Sequence, residues 1–298
     1  MTSSRRLPAL LCVLALVLAG CGDGGGGGGA DGATTTSGAA TTTQRATTTV
    51  PDERRAVLSV YLLRGQELIV GEGREPTTEG VAGEALRALL EGPRRFEADV
   101  GLTSAIPAGT RLLGVTIDGA VARVDLSPEF ESGGGSLSMQ ARVAQVVFTA
   151  TQFAPVDAVR FAIDGEDVDA LGGEGLLVEE PLTRGDFEFG GAFGDAGVLP
   201  PVLLEQPRMR EPVTSPARLS GSANVFEATF AVEVLDAQGL VVAEETVTAT
   251  SGSGTRGTFD ATIAFETPNR GLGAIVTFVR SARDGSRQDL REIPVQIP

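Results

Sequence analysis

Leu112-Leu113-Gly114-Val115-Thr116-Ile117-Asp118-Gly119-Ala120-Val121-Ala122-Arg123-Val124-Asp125-Leu126 is a pair of alternating apolar runs meeting at Asp-Gly, the strongest short-range signal for a β-hairpin. Taking Asp118-Gly119 as a two-residue turn places Ile117 opposite Ala120 and Val115 opposite Ala122. Leu113, Val115, Ile117, Ala122, Val124 and Leu126 then share one side of the sheet. An apolar sheet face needs a cover, and one is predicted downstream. Met139, Val143, Val146, Val147, Ala150 and Phe153 recur at helical spacing, an amphipathic helix over about residues 137–152. A second hairpin follows at Asp164-Gly165, with Val159, Phe161 and Ile163 on the same side as Val168 and Ala170, and Arg160 opposite Asp169. Such a charged cross-strand pair contributes only about 0.2–1 kcal/mol.

Upstream, residues 57–63 and 66–70 read as two strands around Arg64-Gly65. Residues 78–91 then carry Val81, Ala85 and Leu89 with Ala82, Leu86 and Leu90 at helical spacing, and Gly92-Pro93 supplies the stop. Strands and helices alternate without an expected strand-helix-strand crossover. The fold class this implies is α+β, helices on one face of a mostly antiparallel sheet. Downstream the pattern changes. Seven short β-patterned segments centre on Val202, Ala217, Ala231, Val242, Ile263, Val276 and Val295. Turn signals separate them at Gly221-Ser222, Gln238-Gly239, residues 251–257, residues 269–273 and Asp284-Gly285. Regular strands of this kind over about 100 residues predict an all-β sandwich.

The order of these elements carries a resemblance. A helix ended by Glu91-Gly92-Pro93, the Gly114-Val115 strand, the Gly119 turn, Val124-Asp125-Leu126-Ser127, the Gln145-Val146-Val147-Phe148-Thr149 helix and the hairpin from Val159-Arg160-Phe161 to Asp164-Gly165 resemble the GerMN domain of sporulation and spore germination proteins. Gly221-Ser222-Ala223-Asn224-Val225-Phe226-Glu227-Ala228, Gly257-Thr258-Phe259 and the Asp284-Gly285 turn are similar to the immunoglobulin-like domain that accompanies GerMN in germination-related lipoproteins. The resemblance implies a GerMN-like α+β domain over residues 54–182, a linker over 183–198 and an immunoglobulin-like β-sandwich over 199–298. The family brings no catalytic residue set, so none is carried over. Within the linker, Phe187, Phe189 and Phe193 are expected to pack between the domains, with an exposed partner site as the alternative.

The amino-terminal stretch says where the protein works. Arg5 and Arg6 precede an apolar run from Leu7 to Leu18, and Leu18-Ala19-Gly20-Cys21 resembles the lipobox of bacterial lipoproteins. Residues 1–20 are then a lipoprotein signal peptide and Cys21 the lipidated first mature residue. The apolar run falls short of the roughly 20 residues a spanning helix needs. Removal by the ordinary signal peptidase and a twin-arginine route stay open as alternatives. Residues 21–53 are glycine- and threonine-rich and read as a solvated tether reaching about 30 Å, with plain linker and O-glycosylated stalk both open.

Composition narrows the chemistry. The 298 residues are 42% hydrophobic, enough for packed cores. Of two cysteines, Cys12 lies in the leader and Cys21 would carry lipid, leaving the mature body without a thiol. Histidine, tryptophan and lysine are absent, all 24 basic residues being arginine. That removes Ser-His-Asp and Cys-His catalysis, His-bearing zinc sites and a Walker loop in the Gly24 to Gly29 run. A formal charge of -15, more negative once Arg5 and Arg6 leave, opposes nucleic acid and anionic lipid. Membrane attachment must then come from acyl chains on Cys21.

Two acidic constellations invite chemistry. Asp164-Gly165-Glu166-Asp167-Val168-Asp169 lacks ligands at the positions an EF-hand loop requires, and reads as a solvated turn. Asp125, Ser127, Glu129 and Glu131 cluster after a strand, where paired carboxylates can cleave a glycosidic bond. Ser127-Pro128 equally starts a short helix. Stacking on sugar is disfavoured, since Tyr61 is the single tyrosine. The reading is a non-catalytic surface lipoprotein that binds or scaffolds an envelope protein or peptidoglycan, without metal or small-molecule cofactor. The alternatives are a carboxylate-dependent wall glycan hydrolase and an accessory lipoprotein of a membrane sensor kinase.

Overall fold

A computed structural model describes residues 57–77 and 80–298. The lipidation site expected at Cys21, its leader and the whole tether lie outside the described residues. The first module opens with β1 (Tyr61–Arg64) and β2 (Glu67–Val70), a hairpin turned at Gly65 with φ 66°. α1 (Val81–Leu90) buries Ala82, Ala85, Leu86 and Leu89, the stripe its spacing predicts. α2 (Arg95–Asp99) leads to β3 (Leu102–Thr103), which pairs with the other side of β1. β4 (Leu112–Asp118) and β5 (Val121–Leu126) form the first expected hairpin, followed by a short 3-10 turn from Pro128 to Glu131 behind Ser127. α3 (Ser136–Ala150) comes next, then β6 (Ala158–Ile163) and the two-residue strands β7 (Glu166–Asp167), β8 (Ala170–Leu171) and β9 (Leu176–Leu177).

The sheet runs in the order β4-β5-β6-β7. β4 with β5 and β6 with β7 are antiparallel, but β5 and β6 are parallel, Val124 opposite Phe161. Parallel neighbours need a crossover, and α3 is that crossover. The sequence reading excluded such a unit, so this is a correction. The α+β class holds, with α1 and α3 side by side over the face formed by Ala122, Val124, Leu126, Val159 and Phe161, all fully buried. Each of these apart from the small Ala122 contributes roughly 1.5–3 kcal/mol. Phe130 stacks on Phe161 at 6.1 Å beneath them.

The first hairpin turns at Gly119-Ala120, because Asp118 pairs with Val121 and Val115 with Val124. The register differs from expectation by two residues, which leaves the facing of Val115 and Ile117 unchanged. Leu113 does change: a bulge between Leu112 and Gly114 puts Leu112 opposite Leu126 and leaves Leu113 45% exposed. Ile117 shares the helix-side face but stands at the open edge and is half-exposed. The second hairpin turns where expected, with Asp164 and Gly165 both at positive φ. Its strand β7 ends after Asp167, so the Arg160–Asp169 pair does not form and Ala170 leaves the face. Arg160 donates to the Glu179 carbonyl, while Asp167 pairs with Arg123 at 2.5 Å.

α3 is buried on every side from Ala141 to Ala150, so its polar stripe is not solvated. Gln145 Nε2 donates to the Tyr61 carbonyl (2.9 Å), Thr149 Oγ1 accepts from the Tyr61 N–H (3.4 Å), and Gln152 exchanges two bonds with the Ser59 backbone at 2.7 Å. The helix and the residues just after it thus satisfy the part of this strand edge, at Ser59 and Tyr61, that β3 does not reach.

The second module has all seven expected strands: β10 (Val202–Gln206), β11 (Ala217–Ala223), β12 (Thr229–Leu235), β13 (Val241–Thr248), β14 (Gly257–Ile263), β15 (Gly271–Arg280) and β16 (Arg287–Ile297). They form a sandwich of β10-β11-β14 against β13-β12-β15-β16, bridged by Phe230 and Phe259 at 4.9 Å. Gly221-Ser222 is not the expected turn. It lies inside β11, where a Cβ on Gly221 would sit 2.1 Å from the Leu203 carbonyl oxygen. The described residues of both modules belong to one compact unit.

Between the modules, Phe187 and Phe193 are buried, Phe187 lying 6.0 Å from Phe148 and 5.4 Å from Phe193. Phe189 is 75% exposed. Arg184 ties three elements: it donates to Glu205 (2.7 Å), to the Tyr61 hydroxyl (3.1 Å) and to Thr151 Oγ1 (2.9 Å), with its guanidinium 4.8 Å from the Phe148 ring. The Tyr61 hydroxyl also donates to Glu205, and burial followed by that charge pushes the phenol well above its ordinary range. Arg208 reaches Ser59 and the Val57 carbonyl, Arg210 reaches Glu72, and Arg291 pairs with Glu67.

Candidate functional site

Two glycine-rich segments converge at the start of α3. Gly133-Gly134-Gly135 leads into the helix, with Gly133 and Gly134 at φ 62° and 77°. Gly172-Gly173-Glu174-Gly175 joins β8 to β9, with Gly172 and Gly175 at φ 71° and 68°. Residues with a side chain enter that region only under strain. A Cβ on Gly134 would lie 2.7 Å from Arg142 Nη2, and one on Gly172 would lie 2.9 Å from Met139 Cε. The backbone can therefore approach both side chains closely, leaving an open groove of about 400 Å³ between the segments.

The floor is apolar: Met139, Leu171 and Phe193 are buried there, and Leu176 is half-buried. The walls carry two carboxylates. Glu174 Oε2 accepts from the Ser136 N–H at 2.9 Å and from the Ser136 hydroxyl, capping the helix start from a distant segment. Glu131 Oε1 accepts from the Gly172 N–H at 2.9 Å. Gln140 also lines the groove, and its Oε1 is buried without a hydrogen-bond partner among the described residues. Beneath the loop, Arg142 donates to the carbonyls of Phe130 (2.7 Å), Gly133 (2.6 Å) and Ala105 (3.0 Å). Burial lowers its guanidinium from the usual arginine range.

Of the four residues singled out after β5, only Glu131 reaches this groove. Asp125 accepts from the Gly165 N–H at 3.0 Å and lies 3.7 Å from Arg123. Ser127 is fully buried; its hydroxyl accepts from the Arg111 N–H and its N–H donates to the Arg111 carbonyl, both at 2.9 Å. Glu129 sits 3.6 Å from Arg111, and a hydrogen bond with Ser127 leads the causes that hold its carboxyl below the ordinary range. Spacing brought these residues together along the chain, and the structure sends them to different partners. Among the described residues no group of three or more His, Cys, Asp or Glu is placed to hold a metal.

Sequence reading missed Glu174, Gln140 and the second glycine segment. The usable signal was Gly-Gly-Glu-Gly between two short apolar pairs, which demands a turn rather than a strand.

Comparison with known proteins agrees with the two-module order. Residues 38–169 match the family model described as sporulation and spore germination, Germane. Residues 202–286 match the immunoglobulin-like domain of bacterial spore germination, Gmad2. Among solved structures, the first GerMN domain of the sporulation protein GerM from Bacillus subtilis is 26% identical over 43% of this chain and 97% of that one, with a TM-score of 0.38. The tandem GerMN domains of the same protein are 18% identical over 70% of this chain and 61% of that one, TM-score 0.38. A Clostridium perfringens protein classed as a lipoprotein is 26% identical over 44% of this chain and 88% of that one, TM-score 0.33. No curated protein matches the chain.

Proposed function

We propose that this chain, which joins a GerMN-type sporulation and germination module to the immunoglobulin-like module of bacterial spore germination, is a non-catalytic envelope lipoprotein that grips another envelope component. It is held at the outer face of the cell membrane by lipid on Cys21. The observation that carries the binding reading is how the acidic and hydroxyl side chains are used. Asp125 is engaged by Gly165, and Ser127 and Glu129 by Arg111, away from the open groove. The groove itself has an apolar floor with a few hydrogen-bonding groups on its walls, the form of a recognition site.

The runner-up is a carboxylate-dependent wall hydrolase, favoured by one observation: Glu131 and Glu174 line the same groove. Each has an oxygen committed to a backbone N–H, which makes it a brace. Incubating the mature lipoprotein, purified in detergent, with cell wall separates the readings. Retention on the wall or on an envelope protein without release of soluble fragments is expected. Fragment release that disappears in Glu129→Gln or Glu131→Gln would overturn the proposal. Lipid anchoring has its own check: Cys21→Ser is expected to move the protein from the membrane to the soluble fraction. Co-purification of a sensor kinase with wild type alone would identify the partner as that class.

A further inference from the structure

We propose that the groove at the start of α3 receives a basic side chain with an apolar stem, presented by an extended segment of a partner protein. The inference rests on the binding reading above and names the chemistry of that site. Charge complementarity comes first. Glu131 and Glu174 face the groove from opposite glycine segments, and each keeps a second oxygen with no described partner. Gln140 also lines the groove, but its Oε1 is buried, so the two carboxylates supply the presented acceptors. Among the described residues no cation lines the groove, and Arg142 beneath it spends its donors on backbone carbonyls and Ser138. The site therefore presents acceptors that an incoming ammonium or guanidinium can bridge.

The floor sets the rest of the ligand. Met139, Leu171 and Phe193 would cover three or four methylenes leading to that charged tip, the way lysine and arginine bury their stems. A methionine at the base adapts to either. At the rim of the groove Leu177 is 69% exposed, and the neighbouring first turn of α3 carries Leu137 at 56%. Exposed leucines beside an acidic slot suit apolar side chains flanking the basic one on a polypeptide. Sugar lacks such groups, and the aromatic ring best able to stack on it, Tyr61, is buried under Arg184. These observations favour protein over wall glycan. The chain has no lysine of its own, so a lysine ligand must come from another molecule.

Methyl NMR tests this on the intact mature lipoprotein in micelles. Beyond Met1 the chain has only Met139, at the groove, and Met209, buried beside Glu72. Titration with acetyl-Leu-Lys-Leu-Lys-Leu-amide is expected to shift the Met139 methyl and leave Met209 in place. The norleucine analogue should shift neither methyl. Glu131→Gln with Glu174→Gln should weaken the response about tenfold. Both carboxylates also brace the loops, so Leu177→Ser and 0.5 M salt serve as independent perturbations, each expected to weaken binding. An unmoved Met209 signal shows that the fold is intact. Equal response to the norleucine peptide, no response to either, or undiminished binding by the folded double variant overturns the proposal. So does a shift produced by a wall stem peptide bearing a free diamino-acid amine but not by the lysine peptide. In cells, a cross-linked envelope partner retained by the double variant would leave the binding reading standing and the groove assignment refuted.

Discussion

Glu97 shows how much a single side chain organises. It is fully buried on α2, and its carboxylate takes Arg74 through two bonds (3.1 and 2.8 Å) as well as the N–H groups of Glu72 (2.6 Å) and Arg94 (2.5 Å). Gly71 makes room for it, since a Cβ there would lie 2.2 Å from Glu97 Oε1. Removing one partner of a buried pair strands the other charge, so Glu97→Leu should lose about 3–5 kcal/mol in urea unfolding. A loss below about 1 kcal/mol would mean that Arg74 finds water. Nothing in the residue type announced this role; a glutamate on a short helix reads as solvated until the fold closes over it. Asp236 is a similar brace in the second module. It accepts from the N–H groups of Gln238 (2.9 Å) and Leu240 (3.1 Å), from Thr267 (3.0 Å) and from Asn269 (2.7 Å). The Asn269 bond leads the causes that lower its carboxyl from the ordinary value. A depressed carboxyl stabilises the fold above the unfolded value of about 3.9 and loses that contribution as pH falls through the folded one. Asp236→Asn should therefore be least stable relative to wild type at neutral pH, with the gap closing below about pH 4 in thermal melts. A gap constant from pH 7 to 3 would rule out the linkage.

Among elements, α3 was the most legible and the most misleading. Its period and limits follow from Met139, Val143, Val146 and Val147, and Ser136–Ala150 agrees within two residues at each end. The same period leaves Gln145 and Thr149 off the apolar stripe without a role, because periodicity sorts apolar from polar and cannot see that the polar stripe meets a strand edge. The crossover was hidden for a related reason. Whether β6 returns beside β5 or beyond it depends on where α3 lies, which no local pattern encodes. The bulge at Leu113 escaped too, since the alternation of Leu113, Val115 and Ile117 in sequence is perfect and only the ladder reveals the extra residue. The groove was less legible still: its walls come from segments about forty residues apart, and glycine marks where a turn is needed without saying what it faces. Gln145 gives the element-scale test. Its side chain bonds the Tyr61 carbonyl and the Ala105 N–H, both at 2.9 Å. Gln145→Leu keeps the volume and orphans both, at about 1–3 kcal/mol each. Native-state hydrogen exchange should then show the Ala105 amide opening faster, while amides of the β-sandwich, outside this contact, keep their protection. Unchanged exchange at Ala105 would mean that a water replaces the glutamine.

Across the whole molecule, two modules with separate family matches share one hydrophobic core. The buried cluster runs from Val60 in the first to Ile297 at the end of the second. Modules joined by a plain tether open independently; modules sharing a core unfold together. Arginines add direction to the contact, with Arg184, Arg208, Arg210 and Arg291 each reaching across it. Arg184 is the most connected of these, so Arg184→Met, which keeps the stem and removes the donors, isolates the polar part. Glu205 and the Tyr61 hydroxyl would lose their shared partner, while Phe148 keeps its contact with the stem. A double-mutant cycle of Arg184→Met with Glu205→Gln should give a coupling of about 0.5–3 kcal/mol, reduced toward the lower end because both groups are partly solvated. The more telling readout is cooperativity. Calorimetry of the wild type should show residues 52–298 melting as one transition. If the arginine clamps enforce that unity, Arg184→Met combined with Arg208→Met should split it in two, with protease cutting first between residues 183 and 201. A single transition persisting in the double variant would assign the coupling to the apolar core alone, because the core would then hold the modules together without the charges.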